Sequence, residues 1–178
     1  MSRSKRAPAR QAPPPAFPQT AGSSARQRLM FDLVRARVAV HAAVQGLMGG
    51  ATDEPLATGQ WSAREHLLHL LHRDREVARH LESVRGSAAP PWERWGARET
   101  DAFNAAGVAE FHQLDWDETL RRLHAQRQAL MEMLESLADD APEPWTKEHR
   151  FGALLHDLID NDRHHAEAIK RWRTERGA

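Results

Sequence analysis

The segment WSAREHLLHLLH, residues 61–72, contains the clearest helix start in the chain and much of its candidate chemistry. Ser62 and Glu65 match a capping box, in which each side chain accepts a hydrogen bond from the other residue's backbone N–H. Trp61 precedes the cap at the position of a hydrophobic staple. Leucines then recur at helical spacing, so we predict a helix that runs from this cap to about Arg85.

Three further long helices are predicted around this one. They are expected over about 24–48, 115–137 and 150–173, because apolar residues recur there at spacings of three and four. The first of them has one apolar face, which we expect to pack in the core and which is formed by Met30, Leu33, Val34, Val38, Val44, Leu47 and Met48. A short helix is predicted over 99–110. The irregular stretch before it contains two tryptophans, which form either a lid or a cover for one end of the core: Trp92 and Trp95.

The fold class is predicted to be all-α. Period-two alternation of β-branched residues, the mark of a half-buried strand, is missing throughout. Four long amphipathic helices with mixed linkers predict an antiparallel four-helix bundle, with a long crossover between helices two and three. We assign this domain to residues 23–178. Residues 1–22 are basic and rich in proline, and we expect them to form a disordered tail.

Composition limits the classes of function. The 25 Lys and Arg residues balance 25 Asp and Glu residues, which argues against a specific nucleic-acid partner. The chain has no cysteine, which excludes disulfides, thiolate metal sites and a cysteine nucleophile. No apolar run approaches the roughly 18 residues of a membrane helix, so we expect no membrane partner. We predict a soluble, cytoplasmic protein.

The 11 histidines are the richest source of candidate chemistry. His69 falls on the inward stripe of helix two, whereas His66 and His72 are displaced toward its edges. On the last helix, Asn161 and His165 are four residues apart and share a face. Inward imidazoles on two facing helices favour a metal site, because imidazole nitrogen binds zinc, nickel and iron. A hydrogen-bonded core histidine is the commoner situation, and this alternative stays open.

Two motifs in this order resemble the DinB-like superfamily. They are Trp61-Ser62-Ala63-Arg64-Glu65 with His69-Leu70, and Asn161-Asp162-Arg163-His164-His165 with Ile169 and Trp172. The stretch from Phe103-Asn104 to Leu120 is also similar to members of this group. The resemblance covers roughly residues 25–174. It implies a four-helix bundle that is often a homodimer.

The resemblance also implies a set of site residues. Many members bind a divalent metal through three histidines, one on helix two and a pair four residues apart on the last helix. The matching positions here are His69, Asn161 and His165, so an asparagine stands where the first histidine of the pair is expected. A neutral amide oxygen is a weak ligand for such metals. Asparagine at this position also resembles the ClbS/DfsB branch, which includes a self-resistance protein that hydrolyses a reactive cyclopropane.

Two functional hypotheses follow. In the first, the protein is a small-molecule hydrolase or transferase of stress response or detoxification, either metal-dependent or ClbS-like. His69 and His165 would be ligands of zinc, nickel or iron, or a general acid and base, and Asn161 would orient substrate or metal-bound water. In the second, the same pocket binds a small ligand without catalysis and without a metal.

Overall fold

The computed structural model describes residues 24–86, 88–137 and 143–177. These residues form five α-helices and no β-strand, which confirms the all-α prediction. The helices are α1 (Ala25–Val44), α2 (Ala63–Arg85), α3 (Ala97–Phe111), α4 (Trp116–Ser136) and α5 (Arg150–Arg176). The predicted tail, residues 1–22, lies outside the described residues.

The predicted start of α2 is present in atomic detail. The backbone N–H of Glu65 donates to the Ser62 hydroxyl at 3.2 Å, and the backbone N–H of Ser62 donates to the Glu65 carboxylate at 2.8 Å. Trp61 packs, partly buried, against the apolar core beside this cap. The cap therefore fixes both the start of α2 and the place of the indole next to it.

The ends of two helices differ from the prediction. α1 ends at Val44 rather than near residue 48, because the chain turns through Gly46, whose φ of +82° favours glycine. α5 continues to Arg176, where Gly177 adopts the left-handed conformation common at helix C-termini. Periodicity alone locates a helix better than it locates the helix ends.

The core consists of two apolar clusters of buried side chains. One lies at the Trp61 end and includes Leu67, Leu123 and Ile169, and the other includes Leu81 and Leu130. α1 packs along α5, and α2 contacts α3, α4 and α5. None of the helices in the described ranges is long and apolar enough to cross a bilayer.

The outward face of α1 is more apolar than predicted. Of the residues expected to face the core, Leu33, Val44 and Leu47 are buried, but Val34 and Val38 are 46% and 59% exposed. Met48, beyond the end of α1, is 74% exposed. The inward face of α1 is completed by residues outside the predicted stripe: Leu29, Ala36, Arg37 and Val40. Apolar residues lie nearly all round this helix, so their spacing does not single out the buried face.

Candidate functional site

The structure brings together three imidazoles from α2 and α5, which we call the imidazole cluster: His66, His69 and His165. The His165 ring centroid lies 4.8 Å from that of His66 and 4.9 Å from that of His69. The Nδ1 atoms of His66 and His165 are 2.6 Å apart. The three residues are only 4–8% exposed. One neutral imidazole of this pair donates a hydrogen bond and the other accepts it.

Asn161 contacts the third imidazole. Its side-chain Nδ2 lies 3.3 Å from Nε2 of His69. If the amide donates this hydrogen bond, Nε2 is the acceptor, and a neutral His69 carries its proton on Nδ1. Nδ1 of His69 is buried and has no hydrogen-bond partner. The contact with Asn161 thus leaves an unpaired N–H donor in the interior, where such groups are rare.

Trp61 forms the cover of the imidazole cluster. Its ring centroid lies 5.0 Å from that of His69, 5.7 Å from that of His66 and 6.3 Å from that of His165. Trp61 and Asn161 are both only partly buried, in contrast to the imidazoles beneath them. The cluster therefore approaches solvent at this indole and this amide.

Burial keeps the three imidazoles neutral. Desolvation is the main cause in each case, and it lowers the pKa of His66 to about 4, of His69 to about 3 and of His165 to about 2. Neighbouring cations and imidazoles add to the effect, notably Arg73 beside His69 and His66 beside His165. At neutral pH each ring consequently offers one donor and one acceptor.

In this arrangement, the two Nδ1 atoms of His66 and His165 are too close together to be ligands of one metal ion. Two nitrogen ligands of one tetrahedral zinc, each at about 2.0–2.1 Å, are about 3.3 Å apart, whereas Nδ1 of His66 and Nδ1 of His165 are 2.6 Å apart and face each other. Within the described ranges, no group of three or more His, Asp or Glu side chains is placed to hold a metal. Zinc, nickel or iron at this site stays a prediction.

The three predicted site residues lie together, because His69 contacts both Asn161 and His165. His66 was expected near an edge of α2 but faces inward. It precedes His69 by three residues, and residues three apart on a helix lie on the same face. This spacing was the signal that could have added His66 to the predicted set.

His72 is also buried, but it serves a different contact. Its ring centroid lies 4.4 Å from that of Phe103 on α3. A Cβ atom at Gly107 would lie 2.3 Å from the His72 ring, so only glycine allows α3 to pack this closely on α2. His72 therefore holds α3 in place rather than joining the imidazole cluster.

A buried ionic layer separates the two apolar clusters, and sequence reasoning missed it. It takes one residue from each long helix: Arg37, Asp74, Arg127 and Asp162. Arg37 lies 3.1 Å from Asp74 and 2.9 Å from Asp162, and Arg127 lies 2.7 Å from Asp74 and 3.2 Å from Asp162. The four side chains are at most 5% exposed. The two positive and two negative charges cancel within the layer.

The ionic layer lies directly beside the imidazole cluster on α5. Asp162 follows Asn161 in sequence and precedes His165 by three residues. Although burial alone would raise it, Arg127 and Arg37 hold the pKa of Asp74 below its usual value. Burial raises the pKa of the second carboxylate, Asp162, although Arg37 and Arg127 oppose this rise. The contacts of Asp162 with both arginines fix the rotation of α5 that turns Asn161 toward α2.

The two tryptophans of the predicted lid pack away from the imidazoles. Trp95 and Trp92 lie 4.9 and 6.2 Å from Phe103 of α3, and Trp92 lies 5.3 Å from His80 of α2. A cavity of about 700 Å³ opens beside Trp92, and none of the imidazole cluster lines it. Trp92 and Trp95 therefore cover one side of α2 and α3.

Comparisons with known proteins agree on a family and a fold. The model of the DinB superfamily matches residues 32–169. No curated protein matches the sequence.

Solved structures with the same fold include two named proteins. The colibactin self-resistance protein ClbS, crystallised in complex with a dsDNA, superimposes with a TM-score of 0.69 at 14% identity, covering 86% of this chain and 98% of ClbS. DfsB, described as a sibling lethal factor precursor, gives 0.70 at 12% identity, with 87% and 98% covered. An uncharacterised protein from Clostridium difficile 630 gives 0.67 at 12% identity, with 84% and 95% covered.

One of these structures contradicts a prediction from composition. The balance of charges predicts no specific nucleic-acid partner, but ClbS, which has the same fold, is crystallised with a dsDNA. Phosphate binding depends on where Lys and Arg lie on the surface, and the net charge does not describe this distribution. The exclusion was therefore wrong.

Proposed function

This chain belongs to the DinB superfamily, and from that premise we propose that it is a metal-independent hydrolase of a small electrophilic molecule. The proposed site is the imidazole cluster together with Asn161 and Trp61. The observation that carries the proposal is the buried, unpartnered Nδ1 of His69 beside a neutral imidazole pair. An unpaired donor next to an acceptor is suited to a polar molecule that reacts with water.

His69 is the proposed hydrogen-bond donor to the substrate. Asn161 holds Nε2 of His69 as the acceptor, which leaves the proton on Nδ1. This proton would stabilise negative charge that develops on a substrate oxygen as the bond to the leaving atom breaks. A donor placed in a dry site contributes more to such stabilisation than the same donor in water.

The pair formed by His66 and His165 is the proposed base. When one imidazole donates through Nδ1, its Nε2 keeps a free lone pair that can accept a proton from water. The water oxygen bonds to the electrophilic carbon, the leaving atom takes the electron pair of the broken bond, and the water proton passes to the imidazole.

The low pKa values of this pair restrict the substrate class. An imidazole with a pKa of about 4, as at His66, is a weak base. A weak base suffices when the carbon is reactive enough for water to attack it first, because the attacking water then becomes strongly acidic. We therefore favour strained rings and other activated electrophiles. The self-resistance role in the name of ClbS gives a precedent for a toxic substrate in this fold.

We also propose that α1, α2, α4 and α5 form a four-helix bundle, with α3 in the crossover between α2 and α4. Arg26 near the start of α1 donates to carbonyls at the end of α4, so these two helices run in opposite directions. Arg173 near the end of α5 donates to carbonyls at the end of α1, so these two run in the same direction. A long crossover allows such parallel neighbours.

The proposal predicts turnover that survives removal of metals. We expect chelator-treated protein to open an epoxide or an acylated cyclopropane in oxygen-18 water, with the label in the product. His69→Asn should lower kcat/KM by about 100-fold, because the donor to the developing oxyanion is lost. His112→Asn, at an exposed histidine, is the matched control and should leave turnover unchanged.

Two results would contradict this prediction in different ways. Activity that disappears with chelator and returns with added zinc, nickel or iron would support the metal-dependent alternative. Tight binding of the electrophile without label in any product would support the non-catalytic alternative.

The proposal also predicts an unusual pH dependence of turnover. A histidine base of ordinary pKa would lose about tenfold in rate between about pH 7.5 and pH 5.5. Because the pKa of His66 is lowered to about 4, we expect kcat/KM to stay nearly constant over this window. Circular dichroism at each pH should confirm that the protein is folded before its rate is compared. A half-maximal rate near pH 6.5 would exclude this base.

A further inference from the structure

A second cavity, which no residue of the imidazole cluster lines, lies between the end of α1 and the start of α4. We call it the α1–α4 cavity, and its volume is about 420 Å³, within the range of small-molecule sites. Its apolar lining is formed by Val38, Val44, Leu47, Trp116 and Leu120. The site proposed for hydrolysis is built on other helices, α2 and α5.

One side chain in this cavity offers a specific polar contact. His41 lines the α1–α4 cavity, and its Nε2 is buried without a hydrogen-bond partner. Burial lowers the pKa of His41, and the positive charge of Arg37 and the ring of His124 lower it further. The imidazole is therefore neutral, and its Nε2 can carry the proton and donate it to an acceptor.

The polar contact in the α1–α4 cavity favours a ligand that accepts a hydrogen bond. No Asp or Glu is among its lining residues. No Lys or Arg lines it either, and the buried, unpaired Nε2 of His41 is its specific polar contact. A carboxylate accepts a hydrogen bond from this N–H more strongly than a neutral acceptor does, and an ammonium group cannot accept one.

We propose that the α1–α4 cavity binds a small amphipathic carboxylate. The alkyl or aromatic body packs on Trp116, Leu47 and Leu120, and the carboxylate accepts a hydrogen bond from Nε2 of His41. The exposed Val38 at the rim becomes covered when the body binds. This site is independent of the proposed hydrolytic site and remains testable if that proposal fails.

The test is a calorimetric titration of the full chain at about pH 7.5 with octanoate, octanol and octylamine. We expect octanoate to bind with a Kd below about 1 mM, octanol to bind more weakly and octylamine most weakly. His41→Phe should weaken octanoate by at least about tenfold and octanol by much less, because a charged acceptor loses more than a neutral hydroxyl when the N–H donor is removed. His112→Phe, at an exposed histidine outside the cavity, should change neither ligand.

Leu120→Trp is the second variant, because it fills the α1–α4 cavity from α4 without removing His41. It should abolish binding of octanoate and octanol alike. Three results would overturn the proposal: octylamine binding as tightly as octanoate, octanoate binding unchanged in His41→Phe, or no octanoate binding at all. Sedimentation velocity, which measures the oligomeric state, tests whether a second copy of the chain occupies the cavity instead. A dimer that Val38→Glu converts to monomer would assign the cavity to a second copy of the chain and overturn the proposal.

Discussion

Replacing Asp74 with alanine is expected to lower the free energy of unfolding by about 3–5 kcal/mol. Asp74 is fully buried and pairs with both Arg37 and Arg127. Its loss leaves two buried guanidinium groups with a single carboxylate, that of Asp162. An uncompensated buried charge is costly because the interior cannot solvate it. Urea denaturation at about pH 7.5 measures the change.

Two further variants give this prediction a sharp control. Arg122→Ala removes a surface ion pair with Glu118, and exposed pairs of this kind contribute about 0–1 kcal/mol. Simultaneous replacement of the whole ionic layer by Leu and Met should cost far less than Asp74→Ala, because no charge is left unpaired. A loss below about 1 kcal/mol in Asp74→Ala would show that the layer is not the buried, mutually dependent unit described above.

Lowering the pH from about 7.5 to about 5.5 is expected to remove about 4 kcal/mol of stability through the imidazole cluster alone. In the unfolded chain His66, His69 and His165 take up protons near pH 6.5, whereas burial holds their folded pKa values at about 4, 3 and 2. The unfolded state therefore binds more protons throughout this window. Stability is present in full above the unfolded pKa and falls as the pH drops below it.

The measurement is the free energy of unfolding by urea at three pH values across this window. His66→Asn and His165→Asn should each reduce the slope against pH by about one third, since each removes one of the three linked protonations. His112→Asn, at an exposed position, should leave the slope unchanged. A stability that is independent of pH in the wild type would mean that the cluster is protonated or solvated in the folded state.

Local sequence patterns predicted the parts of the fold that depend on local physics. The capping box of Ser62 and Glu65 set the start of α2, because its hydrogen bonds involve residues three apart. His69, Asn161 and His165 could be named because a helix places them on inward faces and a family resemblance gave their order. That they contact one another depends on the packing of α2 against α5.

The ionic layer could not be predicted in the same way. In sequence, Arg37, Asp74, Arg127 and Asp162 are charges at positions that otherwise fit the inward stripe of each helix. A single charge on the predicted inward face argues against the assignment of that face to the core, since burial of an isolated charge is unfavourable. Only the meeting of four such positions makes the burial favourable, and this is a property of the tertiary structure.

The apolar outer face of α1 has a related explanation. Val34 and Val38 fit a helical apolar stripe, yet the buried stripe on α1 contains Arg37 instead. Because Arg37 belongs to the ionic layer, its burial turns the two valines outward. The error concerns these two positions, since Leu33 and Val44 on the same predicted face are buried.

The proposed hydrolytic site requires three neutral imidazoles in contact at physiological pH. Histidine side-chain nitrogen resonances, followed by NMR from about pH 8 to pH 5, report the protonation of each ring separately. The structure predicts that His66, His69 and His165 keep the nitrogen shifts of neutral imidazole throughout, with His69 protonated on Nδ1. Titration of any of the three with a midpoint near pH 6.5 would contradict the buried cluster and the hydrolytic site proposed on it.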